Sequence, residues 1–148
     1  MRSRMLLTVA LLMGAACSDY DVFGPGGRRF EGFYDYVGNV DGKFGDRVEG
    51  EIVISRQFGD RAEVAIDWTY FERGDPIFRI ETDVPAIADL DRYGNIVFDF
   101  EGDLFLYGRD TAFFLSHEGE LDGRSLYGDW YLETDLPSTD FGSFTARR

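Results

Sequence analysis

The 148 residues contain one cysteine, Cys17, and one histidine, His117. A lone thiol closes no internal bridge, so a small scaffold built on disulfides is excluded. Basic side chains are also scarce, 15 against 28 acidic, and a net charge of -13 repels a phosphate backbone. That excludes a nucleic-acid binder held by phosphate contacts. Long apolar runs are missing too: the run Met5–Met13 falls well short of the roughly 20 residues that a membrane-crossing helix requires. No stretch keeps a sustained helical period, and only Pro85–Asp91 offers a short helical turn. What the chain has is rings and glycine, with 14 Phe, 8 Tyr, 2 Trp and 18 Gly. More than a quarter of the residues after position 16 are Leu, Ile, Val or Phe, above the roughly 20% below which chains tend to stay disordered.

The N-terminus has the layout of a secretory signal peptide. Arg2 and Arg4 precede the apolar run, the small residues Gly14, Ala15 and Ala16 follow it, and Cys17 comes next. Gly14-Ala15-Ala16-Cys17 resembles the lipobox of bacterial lipoproteins, although Gly14 stands where that family usually has Leu. The resemblance implies cleavage after Ala16, acylation of Cys17 and stable anchoring through several acyl chains. Ser18 after the cysteine is similar to the outer-membrane sorting pattern. The expected location is therefore the cell envelope, lipid-anchored at the outer membrane; the alternative is a secreted or periplasmic protein with Cys17 as a free thiol. Residues 1–16 are read as signal peptide and 17–29 as a lipidated tether. Asp19, Asp21, Gly24, Pro25, Gly26 and Gly27 make Ser18–Arg29 aperiodic, and as a coil it reaches about 20 Å. Residues 30–148 keep a uniform composition and form one domain.

That domain reads as all-β. Ala62, Val64, Ile66, Trp68 and Tyr70 alternate with Glu63, Ala65, Asp67, Thr69 and Phe71; Phe58-Gly59-Asp60 supplies a hairpin before them. Val48, Gly50, Ile52 and Ile54 share a face in Arg47–Arg56, as do Ile96, Phe98, Phe100 and Gly102, and Leu126, Gly128, Trp130 and Leu132. With Phe30–Val37, Ile77–Asp83, Thr111–Gly119 and Phe141–Arg147 the strands number eight. Short turns such as Glu120-Leu121-Asp122-Gly123 favour neighbour pairing, so the expected fold is an eight-stranded antiparallel up-and-down barrel, with a two-sheet β-sandwich as the alternative. Closure requires Phe30–Tyr36 to pair with Phe141–Arg147. Glu49, Glu51, Glu63, Asp67, Asp99 and Glu101 on the second face are costly in hydrocarbon, so that face belongs in water.

The segment His117–Leu132, with its Gly119-Glu120-Leu121-Asp122-Gly123 and Gly128-Asp129-Trp130, followed by Gly142–Arg147, is similar to the closing strands of small lipocalin-like barrels of bacterial lipoproteins. Gly32-Phe33-Tyr34 replaces the Gly-x-Trp of true lipocalins, and their usual disulfide is missing.

Catalytic chemistry is thin. Ser116-His117-Glu118 holds triad residue types, but neighbours on a strand point to opposite faces. Many acids sit beside glycine in expected turns, as in Gly45-Asp46, Gly59-Asp60, Gly74-Asp75 and Gly102-Asp103. Asp89–Ile96 imitates the first half of a calcium loop, but Tyr93 and Phe100 stand where ligands belong, which favours a hairpin turn. No catalytic residue, metal or cofactor is assigned. Trp68, Tyr70, Phe98, Phe100, Phe114 and Trp130 are expected inside the barrel, where they either fill it or line a cavity for one small hydrophobic ligand; rings at so many inward sites favour filling. Loss of Arg2 and Arg4 leaves 13 basic residues against 28 acidic, a mature charge of -15, which suits a basic envelope protein or peptide as partner. The expected role is a noncatalytic binding or structural module, with a carrier of a small hydrophobic ligand as the alternative and an enzyme third.

Overall fold

The computed structural model describes residues 29–42, 45–135 and 139–148; the expected signal peptide, Cys17 and the tether up to residue 28 lie outside them. Nine strands follow in order: β1 Gly32–Asn39, β2 Arg47–Phe58, β3 Arg61–Glu72, β4 Asp75–Glu81, β5 Ala86–Leu90, β6 Asn95–Leu106, β7 Arg109–Asp122, β8 Ser125–Thr134 and β9 Thr139–Arg147. All pairings are antiparallel. Eight of the strands (β1, β2, β3, β5, β6, β7, β8 and β9) form a closed ring, and β4 lies on β3 outside it. The single closed sheet is the expected barrel and rules out the sandwich. Closure runs through β1 and β9, with Asp35 opposite Arg147 and Gly38 opposite Phe144.

Alternation makes the core. Along β3, Ala62, Val64, Ile66, Trp68 and Tyr70 are buried, and along β6 so are Ile96, Phe98, Phe100, Leu104 and Leu106. Inward glycines let the wall curve. At Gly128 a Cβ would fall 2.1 Å from the Glu118 carbonyl oxygen and 2.5 Å from the Gly119 Cα, so only glycine admits this approach of β7 to β8. In β2 the register shifts between Ile54 and Arg56, a bulge that turns Gln57 inward. Its Oε1 accepts the Phe30 N–H at 3.1 Å and so fixes the point where the chain enters the barrel.

Three expectations need correction. The strand expected at Ile77–Asp83 as one of the eight barrel strands is β4 and lies outside the ring, in which Ala86–Leu90 takes its place. Pro85–Asp91 contains no helical turn: Ala86–Leu90 is β5, paired with β3 from Val64 to Arg61. β4 pairs with the same edge of β3, from Glu72 to Asp67, so β4 and β5 act as one strand broken at Asp83–Pro85. Proline has no N–H for a ladder. Thr82 covers the start of the break: its Oγ1 accepts the Ile66 N–H at 2.9 Å while its own N–H donates to the Ile66 carbonyl at 3.0 Å. Gly102-Asp103 is likewise no turn but lies inside β6. The chain reverses at Tyr107-Gly108, where φ is 51° and 81°, the pair of positive angles that a two-residue hairpin with matching twist requires.

Candidate functional site

Five of the six expected inward rings point into the barrel: Trp68, Tyr70, Phe98, Phe100 and Trp130 are all buried. They pack on one another. Trp68 meets Trp130 edge-on at 5.3 Å, Phe98 meets Phe100 edge-on at 5.8 Å, and Tyr70 stacks on Phe78 at 4.9 Å. The Trp130 indole donates to the Asn39 carbonyl at 3.0 Å. Phe114 is the exception. It is exposed, because Thr111, Leu115, His117 and Leu121 take the inward parity of β7. Phe113 holds the inward place instead, and its ring covers Gly102 of β6 at 3.3 Å from where a Cβ would be.

His117 is wholly buried. Its ring stacks on Phe98 at 4.8 Å and meets Tyr36 and Phe144 edge-on. Nε2 shares a hydrogen bond with the Tyr36 hydroxyl at 3.2 Å, whereas Nδ1 has no partner. Burial lowers its pKa to about 3, so the imidazole is neutral at physiological pH. Burial also holds the Tyr36 phenol well above its usual range; the Trp68 N–H, outside hydrogen-bond geometry, offsets a little of that rise. Glu118 is exposed and Ser116 lies on the same outward parity, so the three triad-like residues do not meet. A second buried polar pair joins Tyr70, whose hydroxyl donates to Asp140 Oδ2. Asp140 Oδ1 is closed over by Gly42, where a Cβ would fall 1.8 Å away.

Asp91 spends its carboxylate on the hairpin between β5 and β6. Oδ1 accepts the N–H groups of Tyr93 and Asn95 at 2.8 and 3.0 Å, and Oδ2 accepts the Asn95 amide at 2.7 Å. The Asn95 amide leads in lowering its pKa. This residue is a turn former, and no group of three or more potential metal ligands occurs among the described residues.

Two features of the wall remain open to a partner. The first is a gap. β6 pairs with β5 only at Val97 and Ile96, so from Phe98 to Leu106 its edge faces β4 without a ladder among the described residues. A cleft of about 380 Å³ lies there, with Phe78, Ile80, Leu104 and Phe113 on its apolar side and Arg79, Glu81 and Asp103 at its lips. Gly102, at an inward position, is exposed beside it.

The second is the outer face of β6 to β9. From Asn95 to Arg147 the chain has eleven acidic residues, of which only Asp140 is buried, and three basic ones, Arg109 and Arg124 at turns and Arg147 at the end of β9. Glu118 stands directly opposite Asp129, a like-charge pair that costs stability. Rings surround it: Tyr131 lies opposite Ser116 and Phe141, and both it and Phe141 are exposed. Glu118, Asp129, Tyr131, Phe141 and Asp41 border a depression of about 540 Å³. On the opposite wall some acids are compensated. Asp67 faces Glu51, yet Arg79 donates to both Asp67 oxygens at 2.6 Å and holds that carboxyl below its usual range. Arg47 pairs with Glu49 at 2.7 Å. The alternation that puts Trp130 inside also puts Tyr131 outside, so the outward rings are legible in the same pattern as the inward ones.

Comparison with family models, curated proteins and solved structures finds no match to this chain. The eight-strand antiparallel ring agrees with the lipocalin-like architecture at the level of fold.

Proposed function

We propose that the chain is an envelope lipoprotein, anchored through Cys17, whose barrel is a noncatalytic binding module for a cationic polypeptide. The observation that carries this reading is the uncompensated Glu118–Asp129 pair, flanked by exposed Tyr131 and Phe141 on a wall whose strands carry carboxylates and almost no cation. Carboxylates supply charge for Lys and Arg, and exposed ring faces add roughly 0.5–1 kcal/mol per cation–π contact. A wall of one sign also steers a partner of the other. Calorimetric titration with a lysine-rich peptide tests it. Binding is expected to weaken steeply with salt and to drop in the double variant Glu118→Gln, Asp129→Asn. Binding unchanged by both would overturn the reading.

The unladdered gap between β4 and β6 favours a second reading, a carrier that takes a small hydrophobic ligand into the cleft at Phe78. Trp68 lies 6.1 Å from the Phe78 ring, so occupation there alters tryptophan emission. Emission that stays constant as a fatty acid is added removes this reading.

A further inference from the structure

The pairing of β6 shows which of its backbone groups are free. β6 runs along β7 from Asn95 to Leu106 without a shift in register. The Gly94 carbonyl accepts the Leu121 N–H from the β7 side, whereas the Asn95 carbonyl accepts the Asp91 N–H from the β5 side. Backbone groups alternate sides along an antiparallel strand, so those of Asp99, Glu101, Asp103 and Phe105 point away from β7 into the gap. None of them has a strand partner among the described residues. The side chains of these four residues are exposed on the outer face, while Phe98, Phe100, Leu104 and Leu106 are buried. Gly102 leaves one inward place without a side chain, and Phe78, Ile80, Leu104 and Phe113 line the cleft. Across the gap β4 is laddered on β3 alone, and the ring closes through β5, so a shift of β4 away from β6 breaks no pairing of the ring.

We infer that this open edge takes an extended polypeptide segment as an added antiparallel strand, with alternate side chains apolar toward the cleft and basic toward solvent. An unpaired edge supplies main-chain donors and acceptors, and a cleft beside it selects every second side chain. Cross-strand partners share a face. The outward residues of the added strand therefore stand opposite Asp99, Glu101 and Asp103, and its inward ones opposite Phe100, Gly102 and Leu104. Acid predominates along the gap. Asp99, Glu101, Asp103 and Glu81 border it, against Arg79, which Asp67 already holds at 2.6 Å and Glu81 meets at 3.5 Å. At the turns beyond, Arg73 is matched by Asp75 and Arg109 by Asp110. On β7 the residues opposite the three β6 carboxylates are Ser116, Phe114 and Ala112, none of them a cation. A second copy of β6 is the wrong occupant, because pairing about Gly102 sets Glu101 of each copy against Asp103 of the other. The inference does not rest on the Glu118–Asp129 reading, whose carboxylates lie between β7 and β8.

The probe is a synthetic peptide of about four Val-Lys repeats, the length of an ordinary strand, added to the full chain and followed by hydrogen exchange residue by residue. Expected is protection of the Asp99, Glu101, Asp103 and Phe105 amides, with exchange about tenfold slower at about ten times the Kd. Three controls should protect them far less: a Val-Glu peptide, a lysine-only peptide of equal length, and the Val-Lys peptide methylated on its lysine amide nitrogens, the groups that would pair with β6. The combined variant Asp99→Asn, Glu101→Gln, Asp103→Asn should erase the preference for Val-Lys over Val-Glu. The variant Glu118→Gln, Asp129→Asn should leave the protection in place. Protection that the methylated peptide gives equally, that falls on β7 and β8 amides instead, or that is lost with the Glu118–Asp129 pair overturns the inference and assigns the peptide to the acidic wall. No protection by any peptide overturns it too, and a fatty acid that then alters Trp68 emission gives the cleft to a small ligand.

Discussion

His117 spends its burial without an acidic partner, and this has a consequence in pH. Its folded pKa is lowered to about 3 from an ordinary 6.5, so the unfolded chain takes up a proton first as the pH falls. Its contribution is whole above pH 6.5 and declines from there down to about 3, at about 1.4 kcal/mol per pH unit. His117→Gln keeps a hydrogen-bonding group for Tyr36 and has no such titration. Denaturant midpoints between pH 6.5 and 5, above the main carboxylate range, should fall in the parent and stay flatter in the variant. Glu118 leads to the opposite kind of prediction. Relieving its cross-strand repulsion with Asp129 by Glu118→Gln should raise stability by a few tenths of a kcal/mol to about 1 kcal/mol, while weakening capture of a lysine-rich peptide. A residue retained for packing would show neither change. Legibility in the sequence differs between such residues. The inward parity of Trp68, Tyr70, Phe98, Phe100 and Trp130 was readable because acids or turns mark the opposite face. Phe114 was misplaced because two adjacent rings compete for one inward slot, although Glu118, Glu120 and Asp122 on the same parity already marked it as outward.

β4 and β5 show where strand reasoning reaches its limit. Local alternation finds both sides of the hairpins, and the short turns named the correct neighbours around most of the ring. What it does not convey is that one edge of β3 serves two strands in succession, because that depends on Pro85 interrupting the ladder and on Thr82 occupying the Ile66 groups. Pro85 made Ala86–Leu90 read as a turn of helix, when Ala86, Ala88 and Leu90 were already spaced for a strand. The break leaves the Phe98–Leu106 edge of β6 without a laddered neighbour on the β4 side. Backbone groups on that edge have no strand partner among the described residues, whereas those between β7 and β8 are laddered from Phe113 to Asp122. Hydrogen exchange read residue by residue should therefore show alternate amides of β6 from Phe98 to Leu106, and those on the outer edge of β4, exchanging well before the β7–β8 amides. Uniform protection around the ring would mean that the gap is closed in solution.

At the scale of the molecule, charge is sorted by place. Carboxylates line the β6 to β9 wall, whereas on the opposite wall Arg79 and Arg47 pair with Asp67 and Glu49. Net charge alone points to a basic partner; the sheet topology adds that Glu118 and Asp129, on which the proposed reading rests, stand opposite each other beside exposed Tyr131 and Phe141. The measurement that bears most directly on this account is a nuclear magnetic resonance titration of the isotopically labelled protein with a lysine-rich peptide at low and at high salt. Amide shifts confined to Ser116–Glu118, Asp129–Tyr131 and Phe141–Ser143, and abolished by salt, are the predicted result. Shifts scattered over the acidic residues of every strand, or none at these positions, would contradict it.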